Sequence, residues 1–367
     1  MKITYLLGSL DRGGTETLLL DVFKNASKNN LSANCFYRKS GELENSFLNS
    51  GLEILKLPVG KNIIAYLFKL RQHLIKNNTT IVHAQQPIDA FLAYFACLGT
   101  NINILLSLHG YDFNETKVSK LILKYIIKRS DLNIYVSDTQ RTYYVNKYSL
   151  KRESQKVVYN GISFEKFDKA KSDLPNLRNE LLLTPETILI ASVGSFNEVR
   201  DQLTLCRFAN ELKIKGLDFR LLLIGKRIES CSHYYDNCID YCQKNNLEDN
   251  VVFTGVRNDV PQILNQVDCF VYATDHDTFG IAVVEAIATG LPVFVNDWEV
   301  MNEITNNGEL ASLYKTGDEK DLVRKFMLFL QDKSNYKTKA LKSVEIIRNT
   351  YNIETHINNL RNVYMSF

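Results

Sequence analysis

Residues 268–296 constrain the fold more than any other stretch of the chain. They read DCFVYATDHDTFGIAVVEAIATGLPVFVN. An apolar run of strand length is followed by a short polar turn at 274–278, a helix-length segment, a Gly-Leu-Pro tripeptide and a second apolar run. Strand, loop, helix and strand in this order predict a βαβ unit with two parallel strands. Because ligands bind outside the carboxyl ends of strands in open parallel sheets, the polar turn is predicted to lie at a ligand-binding edge.

The helix after this turn is predicted to have an N-terminus suited to an anion. The backbone N–H groups of Phe279, Gly280 and Ile281 are expected to point out of the helix, where the helix dipole favours negative charge. Gly280 has no side chain, so a phosphate can approach the backbone closely. Glu285 is the one charged residue between 279 and 288. A buried carboxylate needs a partner, and two remain open: a salt bridge inside the fold, or a sugar or ribose hydroxyl.

The same alternation of strand and helix runs through most of the 367 residues and predicts two doubly wound α/β domains. Strands are predicted at 2–8, 33–37, 53–57, 80–84, 102–108, 132–137, 187–194, 218–225, 250–255, 268–273 and 291–296. Helices are predicted at 16–29, 62–77, 117–129, 202–212 and 279–288, and throughout 318–367. A polar segment with two prolines, 164–187, is predicted to link domains at 1–170 and 186–350.

The segment TDHDTFGIAVVEAIATGLPV resembles the signature of the retaining GT-B glycosyltransferases of family 4. The resemblance extends over nearly the whole chain. It implies the GT-B fold, in which two Rossmann-like domains face a cleft and the last helix, here 351–367, packs back on the N-terminal domain. The signature has Glu, seven residues and a second Glu, where this chain has Asp277 and Glu285. The resemblance therefore implies that Glu285 binds the nucleotide ribose and that Asp277 lies near the donor sugar.

Two further segments resemble the family pattern around the donor diphosphate. The sequence GGTE follows the first predicted strand, which implies that Gly13 and Gly14 face the diphosphate. A later loop reads GSFNEVRD, where Ser195 replaces the first of two family cations and Arg200 stands where the second, a Lys, is usual. Arginine is always charged and can bind a phosphate bidentately; a solvated surface arginine is the alternative. Lys226 or Arg227, after Gly225, is expected to help at the nucleotide.

His109 stands at the end of a predicted strand and is followed by glycine. A lone histidine is usually structural, but this one lies on a loop at the predicted ligand-binding edge. The family carries a similar His-Gly pair that lines the sugar site. The resemblance therefore makes His109 a predicted catalytic residue together with Asp277 and Arg200.

The resemblance implies a retaining hexosyl- or N-acetylhexosaminyltransferase. It would move a sugar from a nucleotide diphosphate donor, a UDP-sugar, to a glycan or lipid-linked acceptor in bacterial surface polysaccharide synthesis. The leaving diphosphate is expected to be stabilised by Arg200 and the helix N-termini near Gly14 and Gly280. No metal and no cofactor besides the nucleotide sugar is therefore expected. Asp275 and Asp277 also match the Asp-x-Asp metal clamp of the other glycosyltransferase fold, and this alternative stays open.

Other functions remain as alternatives. A catalytically degenerate homologue that acts as a scaffold or partner subunit would account for Ser195 and Asp277. A sugar-nucleotide epimerase of the same fold is less expected. A dinucleotide-dependent dehydrogenase is disfavoured because no Gly-x-Gly-x-x-Gly follows either opening strand.

Composition predicts a cytoplasmic protein with contact to the inner face of the membrane. No apolar run reaches the roughly 18 to 20 residues of a spanning helix, no signal peptide is evident, and seven scattered cysteines suggest a reducing compartment. The first 170 residues hold 23 Lys and Arg against 14 Asp and Glu, and the rest hold 21 against 27. Segments 61–76 and 117–129 combine Lys with apolar residues, which predicts peripheral binding to an anionic membrane; solvated helix faces are the alternative. No nucleic-acid partner is expected.

Overall fold

The computed structural model describes residues 1–29, 31–113, 115–170 and 177–367. The chain divides into two compact units, one formed by residues 1–162 with 351–367 and the other by 163–350. The predicted linker, 164–187, therefore falls within the second unit. Its described aromatic side chains are packed rather than solvated. Phe164 and Phe167 are both buried, and the Phe167 carbonyl accepts a hydrogen bond from Asn265 Nδ2 at 3.3 Å. Pro175, which the linker prediction included, lies outside the described residues.

The strands and helices follow the predicted alternation. The strands are β1 (Ile3–Ser9), β2 (Ala33–Lys39), β3 (Glu53–Lys56), β4 (Ile81–Ala84), β5 (Asn103–Leu108), β6 (Leu132–Tyr135), β7 (Gln155–Val157), β8 (Ile188–Val193), β9 (Phe219–Ile224), β10 (Val251–Gly255), β11 (Cys269–Tyr272), β12 (Val293–Asn296) and β13 (Ser312–Tyr314). The helices are α1 (Gly14–Lys24), α2 (Glu44–Leu48), α3 (Ile63–Lys76), α4 (Pro87–Ala96), α5 (Lys117–Ile126), α6 (Asp138–Tyr148), α7 (Glu165–Lys169), α8 (Leu177–Glu180), α9 (Gln202–Ile214), α10 (His233–Lys244), α11 (Val260–Leu264), α12 (Ile281–Ala288), α13 (Glu299–Ile304), α14 (Glu319–Gln331), α15 (Lys333–Tyr351) and α16 (Ile353–Tyr364).

Each unit is built around one parallel sheet. The strand order is β3-β2-β1-β4-β5-β6-β7 in the first unit and β10-β9-β8-β11-β12-β13 in the second. The order reverses between β1 and β4 and between β8 and β11. This is the doubly wound arrangement, as predicted, and it creates a crevice for ligands at the carboxyl ends of those strands.

The alternation of side chains along β1 divides the core of the first unit into two layers. Tyr5 and Leu7 pack with buried residues of α1, α2 and α16, whereas Leu6 packs with those of α3, α4 and α5. Successive side chains of a strand point to opposite faces of the sheet. Because both faces are covered by helices, the strand is buried from Ile3 to Gly8 and most of its side chains are apolar.

The C-terminal region is helical, as predicted for 318–367, and is divided into three helices. Breaks at Asp332 and Asn352 separate α14, α15 and α16, and the Asn352 side chain caps α16 by accepting from the Thr355 N–H at 2.6 Å. Helix α16 belongs to the first unit, where the Tyr364 hydroxyl is 2.7 Å from the Tyr5 hydroxyl. Of the helices described, none combines the length and apolar character that crossing a membrane requires.

Candidate active site

The predicted site residues fall into two groups. The first unit contains Gly13, Gly14 and His109, and the second contains Arg200, Lys226, Asp277, Phe279, Gly280, Ile281 and Glu285. In both units they lie on a loop that follows the carboxyl end of a parallel strand, or on the helix after that loop.

Arg200 and Asp277 form an ion pair where β8 and β11 end. Arg200 Nη1 donates to Asp277 Oδ2 at 2.6 Å, and the two side chains are only 18% and 13% exposed. The Tyr272 hydroxyl donates to the same carboxylate oxygen at 2.7 Å, and the guanidinium lies 4.9 Å from the centre of that ring. Burial by itself would raise the pKa of Asp277, but the Arg200 charge and the Tyr272 hydrogen bond outweigh it and lower that pKa. The carboxylate is therefore ionised at neutral pH and holds the arginine in place.

The second oxygen of Asp277 is also engaged. Asp277 Oδ1 accepts from the backbone N–H of Thr278 at 2.8 Å and of Phe279 at 3.4 Å. Both oxygens thus accept hydrogen bonds from the protein. Within the described ranges, no group of three or more His, Cys, Asp or Glu is arranged to hold a metal ion.

Backbone contacts with the end of β11 fix the loop that carries Arg200. Arg200 forms a β-bridge with Thr274, whose hydroxyl donates to the Val199 carbonyl at 2.5 Å. The Thr274 N–H donates in turn to Asn296 Oδ1 at 2.9 Å. Gly194 leaves room for the guanidinium, because a Cβ there would lie 2.9 Å from Arg200 Nε. The loop thus presents Arg200 in one orientation at the sheet edge.

Helix α12 begins at Ile281, two residues later than predicted, because Gly280 adopts a left-handed conformation with φ of +87°. This conformation favours glycine, and a Cβ at this position would also lie 2.8 Å from Met301 Cε. The Phe279 N–H donates to Asp277, and the Phe279 side chain is buried. Of the three predicted anion-binding N–H groups, those of Gly280 and Ile281 stand at the start of the helix, where N–H groups lack intrahelical acceptors.

Glu285 lies on α12 with a side chain that is 13% exposed. Lys166 Nζ, from α7, donates to Glu285 Oε1 at 3.0 Å. This contact is the internal salt bridge that the sequence left open, and it engages one of the two carboxylate oxygens. Lys226, the predicted nucleotide contact, is exposed after β9. Its neighbour Arg227 is held in ion pairs with two acids, Glu229 at 2.8 Å and Asp236 at 3.0 Å.

In the first unit, a carboxylate of the protein occupies the start of α1. Gly13 is the N-cap residue, and a Cβ there would lie 2.5 Å from Glu16 Oε2. The Glu16 side chain therefore folds back over Gly13, one of the two glycines predicted to face a diphosphate. Burial is the main cause that raises the pKa of Glu16 above its ordinary value. Gly14 is the first residue of the helix.

His109 follows β5, and its Nε2 lies 2.9 Å from Gln85 Oε1. Burial, with a smaller effect of His356, lowers the pKa of His109 to about 4, so the ring is neutral at physiological pH. A cavity of about 520 Å³ opens beside it at the ends of β1, β4 and β5. A volume of this size lies in the range of small-molecule sites in proteins.

Comparison with known proteins decides the family. Residues 12–166 match the family model described as Glycosyltransferase Family 4, and residues 173–349 match the model described as Glycosyl transferases group 1. The chain belongs to the family 4, group 1 glycosyltransferases. This glycosyltransferase is 23% identical over 312 residues to the N-acetyl-alpha-D-glucosaminyl L-malate synthase of Bacillus anthracis, an alignment that covers 82% of this chain and 78% of the relative.

Two other similar proteins align with almost the full length of this glycosyltransferase. It is 23% identical over 371 residues to the UDP-Gal:alpha-D-GlcNAc-diphosphoundecaprenol alpha-1,3-galactosyltransferase of Escherichia coli, covering 96% and 93% of the two chains. Its fold matches that of Alr3699/HepE of Anabaena, crystallised with UDP and glucose, with a TM-score of 0.87, 18% identity and full coverage of both chains. The fold is GT-B, as predicted.

The geometry of this glycosyltransferase adds residues that the sequence did not single out. Tyr272 and Thr274 hold Arg200 and Asp277, Lys166 pairs with Glu285, and Glu16 covers Gly13. Thr274 and Tyr272 lie in the strand and turn that the sequence had marked, so their proximity to Arg200 was the missing information. Lys166 is 119 residues from Glu285 in sequence, and no local pattern relates the two.

Proposed function

We propose that this glycosyltransferase transfers a hexose or N-acetylhexosamine from a UDP-sugar, with retention of anomeric configuration, in the synthesis of a bacterial surface polysaccharide. The acceptor is a glycan or a lipid-linked glycan. The observation that carries the proposal is the oriented arginine at the switch point of the second sheet. One guanidinium N–H of Arg200 donates to Asp277 in the hydrogen bonds described. Because an arginine has five such donors, the same side chain can also donate to a diphosphate.

Stabilisation of the leaving group is the main chemical demand on this site. As the bond from the anomeric carbon to the donor phosphate breaks, negative charge develops on the diphosphate, and fixed donors lower the energy of that state. Arg200 and the N–H groups of Gly280 and Ile281 are the donors that we assign to it. Asp277 acts as a positioning residue, since both of its oxygens accept from the protein. Glu285 is the residue that we assign to the ribose.

Retention requires attack from the face that the diphosphate leaves. In this step the acceptor oxygen bonds to the anomeric carbon, the carbon–phosphate oxygen bond breaks, and the acceptor proton passes to the departing phosphate oxygen. His109 is neutral because its pKa is lowered to about 4, so the ring can exchange hydrogen bonds with substrate hydroxyls without a net charge. We assign it to sugar orientation.

The choice of donor and acceptor is supported by the relatives rather than by the geometry of this chain. The Escherichia coli relative is named for a UDP-galactose donor and a diphosphoundecaprenol-linked acceptor, and the Anabaena protein was crystallised with UDP. At 23% and 18% identity these names support a UDP-sugar without identifying the sugar.

Two helices of the first unit support contact with an anionic membrane. On α3, Ile64 is 75% exposed and Phe68 is 63% exposed, four residues apart on one face. On α5, Val118 and Leu121 are each 67% exposed and stand among exposed lysines. Exposed apolar side chains beside lysines suit a surface of anionic lipid headgroups. We therefore place the protein at the inner face of the membrane in this proposal.

A nucleotide panel tests the proposed function. UDP, but not GDP or ADP at equal concentration, is expected to raise the melting temperature, and at least one UDP-sugar is expected to be turned over with release of UDP. Turnover is expected to continue in EDTA, and NMR of the product is expected to give the anomeric configuration of the donor.

Other outcomes identify the alternatives. Stabilisation by no nucleotide and turnover of no donor would support a degenerate partner subunit. Conversion of a UDP-sugar without UDP release would identify an epimerase. Loss of activity in EDTA that Mg²⁺ restores would support the Asp-x-Asp clamp.

A further inference from the structure

The 520 Å³ cavity of the first unit has a polar and aromatic lining suited to a sugar ring. Gln86, His109 and Ser119 contribute groups that donate and accept hydrogen bonds. Tyr111 contributes an aromatic ring, on which the C–H face of a pyranose can pack. His109 is neutral in this setting because burial lowers its pKa to about 4.

The loop that carries Tyr111 is firmly anchored. The next residue, Asp112, is buried and accepts from Lys147 Nζ at 2.7 Å, from the Tyr148 hydroxyl at 2.6 Å and from the Tyr143 hydroxyl at 2.7 Å. The Tyr111 ring stacks on Phe113, with ring centres 4.8 Å apart. These contacts fix the aromatic wall before any ligand arrives, which reduces the entropy lost on binding.

The charges around this cavity are of one sign. Glu16 and Glu115 line it, whereas the described residues that line it include no Lys or Arg. The third acid, Asp112, is neutralised by Lys147. Arg38 lies behind the wall, with its Nη2 3.3 Å from Gln86 Oε1, but its charge is paired with Asp89 at 2.6 Å. A ligand in the cavity therefore meets two carboxylates and no balancing cation from the lining described.

We propose that this cavity binds a neutral, hydroxyl-rich acceptor sugar and that Glu16 and Glu115 reject acceptor rings that carry a carboxylate or phosphate. The proposal rests on the glycosyltransferase function proposed above and names its acceptor class. It concerns the ring that enters the cavity and not the group at its reducing end. Carboxylates accept hydrogen bonds from sugar hydroxyls, but they repel an anion at short range in a partly buried site.

Matched sugar pairs test this selection without any donor. The methyl α-glycosides of glucose, galactose and mannose each have a uronate that differs only in the carboxylate at C6. Saturation-transfer NMR with the full-length protein at neutral pH is expected to show binding of at least one neutral glycoside. The corresponding uronate is expected to bind about tenfold more weakly, the effect of one unfavourable charge contact.

Variants assign the effect to the two acids. In the double variant Glu16→Gln and Glu115→Gln, the uronate is expected to bind within about threefold of the neutral glycoside. Glu53→Gln, an exposed acid on β3 that does not line the cavity, is the matched control and is expected to keep the wild-type preference. Melting temperatures check that each variant is folded.

Three results would overturn the proposal. These are equal or tighter binding of the uronates, an unchanged preference in the folded double variant, and binding of no neutral glycoside. Because the measurement omits the donor, it is independent of the nucleotide panel. A protein that prefers neutral glycosides but neither binds nor turns over nucleotide sugars would contradict the proposed function and leave the cavity assignment standing.

Discussion

At the scale of single residues, Arg200 is the group on which the donor site depends most. Arg200→Ala is expected to lower kcat by about 100-fold, the loss typical for one donor to a developing anion. Arg200→Lys is expected to restore part of the activity, because Lys supplies the charge without the planar fork. Steady-state kinetics with the UDP-sugar found in the panel provide the measurement. Similar kcat values for Arg200→Ala and wild type would contradict the assignment.

The same substitution leaves Asp277 buried without its cation, so stability must be separated from activity. Loss of one partner of a buried pair costs about 3–5 kcal/mol. The double variant Arg200→Ala with Asp277→Asn is expected to recover much of that stability but none of the activity. If Asp277 acts through Arg200, the double variant is no less active than Arg200→Ala alone; additive losses in kcat would show a separate role for Asp277.

Glu285 is the second residue for which the structure sharpens the prediction. Glu285→Ala is expected to weaken UDP binding by about 1.5–3 kcal/mol, the value for a hydrogen bond to a charged group. Lys166→Met removes the ion pair at 3.0 Å but keeps the carboxylate, so it is expected to affect UDP affinity much less. Isothermal titration with UDP measures both variants. Equal and small effects would mean that Glu285 serves only the salt bridge.

Sequence reasoning singled out Arg200, Asp277 and Glu285, but not the contact between the first two or the pairing of Glu285 with Lys166. Arg200 and Asp277 are 77 residues apart, and the β8–β11 pairing brings them together. The assignment of Asp277 to the donor sugar, implied by the resemblance, stays a prediction, and the structure adds that its two oxygens accept from Arg200 and from the backbone of its own turn. Orientation of a side chain depends on such tertiary contacts, which a motif does not specify.

At the scale of elements, the buried strands were predictable because they read as short apolar runs. The three-residue edge strands β7 and β13 were not predicted, since runs of that length carry no recognisable period. The start of α12 was placed two residues early because the left-handed turn at Gly280 cannot be read from an apolar pattern. The packing of α16 in the first unit was expected from the resemblance, and its buried Ile353, Ile357 and Leu360 join the core there. Its polar contacts through His356 and Tyr364 could not be predicted from an apolar pattern.

Those polar contacts predict a pH dependence of stability. His356 is buried on α16, and His83 is buried on β4 in contact with α16. Burial lowers the pKa of His83 to about 3 and that of His356 to about 4. His83 Nδ1 lies 2.7 Å from the Tyr364 hydroxyl, and His356 Nδ1 lies 2.7 Å from the Tyr159 carbonyl. The unfolded chain, with pKa values near 6.5, binds more protons than the folded protein between pH of about 4 and 6.5. Stability is therefore full above that range and is lost as the pH falls through it.

Urea unfolding at neutral pH and near pH 5 measures this effect. Each histidine is expected to contribute about 1–2 kcal/mol to the loss at the lower pH. His356→Gln cannot take up the proton, so the loss of unfolding free energy at the lower pH is expected to be smaller by about 1–2 kcal/mol in this variant. His233→Gln, in the second unit, is the control and is expected to leave the difference between the two pH values unchanged. The same pH dependence in His356→Gln and wild type would contradict the role of this histidine.

At the scale of the whole molecule, the sequence predicted the family, the two-sheet architecture and the uneven charge. It could not give the exposure of the apolar residues on α3 and α5, because both helices also bury one face. Leu70 and Leu74 of α3 are fully buried, whereas Phe68, on the opposite side of the same helix, is 63% exposed. The surplus of Lys and Arg in the first 170 residues and these exposed side chains together lead to the last prediction.

The protein is expected to bind anionic vesicles and not neutral ones, and to be released by salt. Each lysine near an anionic leaflet contributes roughly 1 kcal/mol, and screening weakens this beyond about 10 Å at 0.1 M salt. The triple variant Lys117→Gln, Lys124→Gln and Lys128→Gln is expected to lose about 3 kcal/mol, or about 100-fold in partition at low salt. Lys120 is left unchanged because its Nζ donates to the Phe113 carbonyl at 2.9 Å.

Co-sedimentation with vesicles measures the partition, and a matched triple variant supplies the control. Lys337, Lys339 and Lys342 are exposed on α15 in the second unit, and their replacement by Gln changes the net charge by the same amount. If net charge alone drove binding, both triple variants would lose it equally; if α5 forms the contact, only the first does. Phe68→Ser removes an apolar contact without changing charge and is expected to weaken binding even at low salt. Equal partition of wild type into neutral and anionic vesicles, or into neither, would remove the membrane from the function of this protein.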